Sequence, residues 1–455
     1  MKKIISTLSL LLVIIASNAQ VGINNSGNSP ASSSMLDVSS TNKGVLLPRM
    51  TSQQRNAISS PETGLLVFDT DRQALYMFDG DGWRPFAYAT DQAASLTPRY
   101  PKENIGYLGK SVAIWDDYAV VGSPSDTANG FNSGTAYIYM RENGTWKQKA
   151  RLAPSNGAAS DQFGYSVDIH ENTVVIGAPG KTISGSVYRG RVYVFKRNGH
   201  VWQQIAGIQS NDGIAGDEFG TSVSIYGNTL AVGSPYNSTG SVYIFRKENN
   251  AWTQKAKLLP WTAGNGMHFG RSVALWGSTL VTGAPKYGNG VAFTFNNTDL
   301  AGAVWANGQR LDPDQSNFTM DFGVSVSIHE NNMVIGAPFY RTPDGTAKGT
   351  AYIFKRFNNN WSKYTTIGNE GENGQCGAAV AVDGNRYYVG CPMANGQRGK
   401  VIMLHNTYYQ GDMRTYFNTD SDATAEFGTS VASFGEHFII GAPVRFPSVT
   451  FGRNP

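Results

Sequence analysis

Two short landmarks recur seven times at one fixed separation, and no other feature of the chain limits its fold so narrowly. The first is a bulky residue followed by glycine: Phe163-Gly164, Phe219-Gly220, Phe269-Gly270, Phe322-Gly323 and Phe427-Gly428, with Leu108-Gly109 and Cys376-Gly377 in the same slot. The second is glycine, a small residue and proline, beginning at Gly122, Gly177, Gly233, Gly283, Gly336, Gly390 and Gly441. The two glycines lie 13 positions apart in every copy, while the copies themselves are spaced by 50 to 56 residues. A constant inner core with elastic connections is the signature of an array of like units.

The copy at Phe163 shows what one unit says physically. Ser166-Val167-Asp168-Ile169 alternates polar and apolar residues, as a strand with one buried face does. His170-Glu171-Asn172 is a short polar turn, matched by Tyr226-Gly227-Asn228 and Asp383-Gly384-Asn385, and such residues tolerate the positive φ of a tight hairpin. Val174-Val175-Ile176 is apolar throughout, so both of its faces are covered. Pro179, which lacks an N–H, stops the ladder. A third strand runs through Val192–Phe195, and a fourth opens at Trp202. The expectation is an all-β chain: a seven-bladed β-propeller of four-stranded antiparallel blades. A β-sandwich or a solenoid is the alternative, and four-strand units at this period suit it less well.

These landmarks resemble FG-GAP repeats, which are named for them, and Trp252–Leu258 (WTQKAKL) ahead of the next Phe-Gly is similar to the bacterial branch of that family. The resemblance spans residues 105–455 and implies a seven-bladed propeller like the head of integrin α chains. It specifies a fold far more narrowly than a function. Many members carry an acidic calcium loop between the two landmarks; here the interval holds only a hairpin turn, so no metal and no cofactor are expected.

The remaining chain reads in three parts. Residues 1–19 have the form of a signal peptide: Lys2-Lys3, an apolar run from Leu8 to Ala16, and Ser17-Asn18-Ala19 before Gln20. No cysteine follows for lipid attachment, and no later apolar run is long enough to span a bilayer. Residues 20–90 form a small N-terminal module, Ser/Asn/Gly-rich at first, with a short helix capped by Thr51 or Ser52 and a hairpin of Gly64–Phe68 with Ala74–Phe78. Residues 91–104 read as a linker. The last unit lacks a fourth strand, and a segment upstream of Gly106, around Trp83 to Tyr88, is expected to supply it, because an unpaired edge is a liability. Trp83 lies 26 residues before Gly109, against 18 for Trp146, Trp202, Trp252 and Trp305 before theirs. Without Lys2 and Lys3 the formal charge falls from +4 to +2, which gives no reason to expect a nucleic-acid partner.

No catalytic constellation is visible. His170 and His329 share one repeat slot and read as turn residues; Gly-x-Ser recurs in six units without completing a nucleophile elbow, so it serves the array. Cys376 and Cys391 replace the bulky residue and the small residue of the two landmarks within one unit, opposite each other across a hairpin centred on Asp383-Gly384. A disulfide fits there, with a pair of buried thiols as the alternative. An antiparallel meander puts the loops between second and third strands, and the unit-to-unit connections, at one end. That end carries aromatics (Phe131, Tyr188, Tyr236, Tyr287, Phe339 and Tyr340) and acids (among them Asp161, Asp212, Asp217, Asp312, Asp321, Glu370 and Asp420). The other end collects Arg141, Lys196, Arg197, Arg246, Lys247, Lys355 and Arg356, so the two ends are expected to differ in charge.

The functional expectation is an exported, non-enzymatic recognition or adhesion propeller, secreted or on the cell surface. It would bind an extracellular protein or glycan through those six aromatics, with no membrane insertion. Two alternatives remain open: a secreted carbohydrate-active enzyme with its site in the central mouth, and a structural component of a cell-surface assembly docked through residues 20–90.

Overall fold

The structure is a computed structural model. It describes residues 21–24, 27, 29–71, 74–78, 83–85, 94–96, 106–199, 201–262, 264–299, 302–314, 320–341, 348–368, 374–406, 411–417, 425–443 and 448–453. The proposed signal peptide lies outside them. The chain divides into two compact units, Met1–Asp91 and Gln92–Pro455.

In the first unit, Val21–Asn24 pairs in parallel with Leu36–Ser39. A four-stranded sheet follows from Arg49–Met50, Leu66–Asp69, Ala74–Phe78 and Trp83–Pro85. The helix Ser52–Asn56 starts at Thr51 because Thr51 and Gln54 each bond the other's backbone N–H in a capping box. Arg55 on that helix is buried, paired with Asp69 at 3.2 Å and stacked over the Tyr76 ring at 3.8 Å.

The second unit is a succession of four-stranded antiparallel sheets, each a meander in sequence order. The Phe163 copy forms Ser166–His170, Thr173–Ala178, Arg191–Asn198 and Val201–Ile208. Six such sheets run from Ser111 to Phe417. The next contains Ser430–Phe434, His437–Ala442 and Ser448–Arg453, and its fourth strand comes from upstream, Ala94–Leu96, antiparallel to Val449–Phe451. The closing strand is upstream of Gly106 as expected, but its placement and the linker reading are both corrected. Trp83–Pro85 pairs instead with Ala74–Phe78 in the first unit, and the stretch read as a linker contains the missing strand. Register explains it: fourth strands such as Val201–Ile208 sit 12 to 19 residues before the next landmark glycine, Ala94–Leu96 sits 13 to 15 before Gly109, and Trp83 is 26 before it.

The 13-residue interval has a direct cause. In each of the seven copies the N–H of the first landmark glycine donates to the carbonyl of the second, at 2.9–3.1 Å, from Gly109 to Gly122 through Gly428 to Gly441. The first glycine holds φ between +85° and +94°, where a side chain is disfavoured. Its own carbonyl turns toward the preceding copy, where it lies against the second landmark glycine so closely that a Cβ there would overlap it: Gly122 against Gly164, Gly233 against Gly270, and Gly441 against Gly109. The same carbonyls accept from Ser111, Ser166, Ser222, Ser272, Ser325 and Ser430 at 2.7–2.9 Å; the sixth copy has Ala379 in that slot.

Apolar cores therefore sit between neighbouring sheets rather than inside one. Val120 and Ile138 pack with Phe163, Val174 and Tyr193 of the next copy, and Ile439, Val449 and Phe451 pack with Leu108, Val121 and Tyr139 of the first. The landmark phenylalanine meets its own third strand edge-on, as Phe163 does Tyr193 at 5.5 Å and Phe195 at 6.0 Å. Where Cys376 replaces it, a disulfide to Cys391 spans the same space, with Cα atoms 4.0 Å apart.

Two glycine substitutions separate contact from conformation. Gly233→Ala drives a Cβ into the Gly270 carbonyl and is expected to cost more than about 3 kcal/mol or abolish folding, whereas Gly227→Ala, in open space at φ +57°, should cost about 1 kcal/mol. Denaturant unfolding of the two variants measures the difference.

Candidate functional site

Antiparallel pairing places the loops between second and third strands together at one end, and the six aromatics divide there by environment. Phe131 (72% exposed), Tyr188 (45%), Tyr236 (44%) and Phe339 (43%) are open to solvent on the first, second, third and fifth copies. Tyr287 and Tyr340 are half-buried; Tyr287 lies under the Arg310 guanidinium at 5.2 Å, and Tyr340 packs on the cluster around Phe322. No ring contact among the described residues joins two of the six. Trp261, in a unit-to-unit connection at the same end, is 37% exposed and meets Phe293 and Phe295 edge-on. It belongs to none of the loops between second and third strands, where the six aromatics lie.

The acids at this end are matched rather than free. Lys181 binds Asp161 at 2.8 Å with both side chains buried. Lys257 reaches Asp212 at 2.5 Å, Lys286 reaches Asp321 at 2.7 Å, Arg310 reaches Asp312 at 2.6 Å, and Lys363 binds Asp314. Asp126 accepts from Thr135, Tyr137 and Arg151. Asp217 is buried, closes its loop by accepting from the Ile214 N–H, and is raised by that burial. Glu370, Glu372, Asp420 and Asp422 lie outside the described residues. At the opposite end Arg141 pairs with Asp117 at 2.7 Å, while Arg356 donates to neutral acceptors: Asn331 Oδ1, Thr279 Oγ1 and the Glu330 main-chain carbonyl. Local pairing thus offsets the negative charge expected at the loop end.

The first strands line a central cavity of about 240 Å³, to which every copy contributes from Val112–Trp115 to Val431–Phe434. At one end of it, the last residues of these strands form a train of tilted rings in contact. Phe434 meets Trp115 at 4.4 Å, Trp115 meets His170 at 4.1 Å, His170 meets Tyr226 at 4.9 Å, Tyr226 meets Trp276 at 5.1 Å, and Trp276 meets His329 at 3.9 Å. His329 Nε2 then faces Asp383 Oδ1 at 3.3 Å, and the Gly435 N–H donates to the Asp383 carboxylate. His170 and His329 are therefore not turn filler: both converge on the cavity, and burial lowers the His170 pKa. The four middle rings have neighbours on both sides, so the train is a plug rather than an open stacking platform. The signal in the sequence was a slot, six residues past each landmark glycine, but its occupants (Trp, His, Tyr, Trp, His, Asp, Phe) share no single chemistry.

Deeper in the cavity, Asp168 bridges two neighbouring first strands. Its Oδ2 accepts from the Ile225 N–H at 2.8 Å and Ser224 Oγ at 3.1 Å, and its Oδ1 accepts from the Ile169 N–H at 2.8 Å. Ser224 and Ser327 repeat the device, accepting from the Leu275 and Val382 N–H groups. These side chains satisfy donors on inner strands that have no ladder partner on that side. Some of the Asp168 surface faces the cavity, yet protein encloses it and burial pushes its pKa up to about 6, against the pull of its three donors. Asp168 and Asp383 are the carboxylates among the cavity-lining residues, and both are occupied by bonds between neighbouring strands. Among the described residues no group of three or more His, Cys, Asp or Glu is placed to hold a metal ion, and no helix is long and apolar enough to cross a membrane.

A succession of antiparallel four-stranded sheets stitched through paired glycines defines an all-β repeat protein whose sheets are consistent with propeller blades. The FG-GAP repeat signature matches residues 92–139, 146–195, 202–245, 252–304 and 305–354, more than half of the chain, and the chain belongs to the FG-GAP repeat family. Each matched segment runs from an outer strand through the third strand of the following sheet, so one sequence repeat is shared between two sheets. A second signature, the phage tail like trimerisation region, matches residues 22–98. Comparison with curated proteins returns no match.

Asp168 predicts a pH dependence. Its folded pKa is raised above the unfolded value, so the folded state holds an extra proton between about pH 4 and pH 6, and its contribution to stability falls as pH rises through that window. Asp168→Asn should flatten this part of the profile while losing one acceptor, a cost of about 1–3 kcal/mol. Unfolding free energies of both proteins at pH 4.5 and pH 7.5 check the sign.

Proposed function

We propose that the chain is an exported, non-enzymatic recognition protein whose repeats close into a seven-bladed propeller and bind an extracellular protein or glycan at the loop end. The observation that carries this reading is the set of solvent-open aromatics Phe131, Tyr188, Tyr236 and Phe339, from separate copies at one end of a stiff scaffold. Such side chains offer large contact area at low entropic cost, to sugar rings and to protein side chains alike. Closure is supported by Ser430 donating to Gly109, by the core shared between the last and first copies, and by the upstream strand that completes the last sheet. The absence of an enzymatic role is supported by the employment of Asp168 and Asp383 in strand-to-strand bonds. Export is supported by the form of residues 1–19.

The match of residues 22–98 to a trimerisation region favours a second element of the same reading. The N-terminal part gathers three copies, so that three propellers act together and weak single-site contacts gain avidity. This joins the recognition and assembly readings.

Purified protein, from Gln20 onward, applied to an array of glycans and extracellular proteins tests the binding claim. Saturable binding that drops at least tenfold in Phe131→Ala or Tyr236→Ala, with unchanged melting, is the expected result. Binding that survives both substitutions removes the loop end from consideration.

A further inference from the structure

We propose that one face of the N-terminal strand pair, carrying Val21, Ile23, Leu36 and Val38, is the seam along which two further copies of this chain pack. The proposal rests on the assembly reading above and specifies the surface that performs it. The pairing is parallel, with Val21 opposite Leu36 and Ile23 opposite Val38 on one face, and Gly22 opposite Asp37 and Asn24 opposite Ser39 on the other. The ribbon is thus divided cleanly into an apolar and a polar side. All four apolar residues are exposed: Val21 by 52%, Ile23 by 57%, Leu36 by 59% and Val38 by 38%. Met35 and Leu46, close by in sequence, are exposed by 68% and 85%.

Such a ribbon is not a stable object in water by itself. Two strands alone are marginal, and parallel pairs are found where their faces are covered. Four contiguous apolar side chains left in solvent mark a surface that something covers. Copies of the same chain suit it. The face carries no charge, so identical faces meet without like-charge repulsion, and the segment lies within the span that matches a trimerisation region, except for Val21 at its margin. Three ribbons around one axis turn every apolar face inward and every Asp37 outward. The strand pair and the assembly then form together: the pairing supplies the apolar face, and the neighbours keep it dry.

Light scattering on the full chain, with Ile23→Asp/Val38→Asp on the apolar face and Ser39→Asp on the polar face, tests this. The parent chain and Ser39→Asp should have three times the mass of the Ile23→Asp/Val38→Asp protein, while the tryptophan-monitored melting of the repeats stays the same in all three. A monomeric parent chain overturns the assembly reading and this proposal with it. A trimeric parent whose apolar-face variant also remains trimeric overturns the seam alone. A conservative check avoids charge: Ile23→Cys should cross-link between chains on mild oxidation and Ser39→Cys should not, and equal cross-linking at both positions contradicts the assignment.

Discussion

In every copy one carbonyl oxygen, that of the first landmark glycine, is wedged between two copies. Its own N–H is fixed to the second glycine 13 residues on, its oxygen presses on the second glycine of the preceding copy, and in all but one case a serine hydroxyl donates to it. Close approach of two backbones leaves room for hydrogen alone at the contact. The contact in turn brings the inner strands near enough for side chains such as Ser224 and Ser327 to cap unpaired N–H groups of the next copy. The apolar side chains of facing sheets then interdigitate, and the cores form between copies.

The loop end is tied together separately. The unit-to-unit connections close on buried acids such as Asp161 and Asp217, and the loops between second and third strands bond those connections through main-chain carbonyls such as Phe131 and Tyr188. Loop length and loop aromatics vary from copy to copy, and variable loops on a rigid frame are where recognition is built. The cavity behaves in the opposite way. Its ring train and its bridging Asp168 spend their bonding capacity on neighbours, which makes the centre a stiffener.

What the sequence made legible was local or repeated. Hairpins at Glu171 and Gly227, the Thr51 cap and the landmark glycines each announce themselves within a few residues. The placement of Cys376 and Cys391 could be read because the repeat supplied a register for the hairpin between them. The closing strand was misplaced because Trp83 imitates the outer-strand tryptophans, and only its distance from Gly109 betrays it. The ring train was hidden for a different reason: it joins residues about fifty positions apart, and its slot holds Trp, His, Tyr, Asp and Phe in different copies, so no one residue type marks it. Loop acids were legible as residues but not as ion pairs, since their cations come from another strand or loop.

We propose that the copies close into one mutually locked ring. Hydrogen–deuterium exchange at the landmark glycines of the intact chain tests it most directly. A closed ring has no ends, so the amides of Gly109 and Gly428 should exchange as slowly as those of Gly220 and Gly270, and all should open in one cooperative event. An open array frays from its termini; fast exchange at Gly109 and Gly428, grading to slow exchange at the middle copies, would contradict the account.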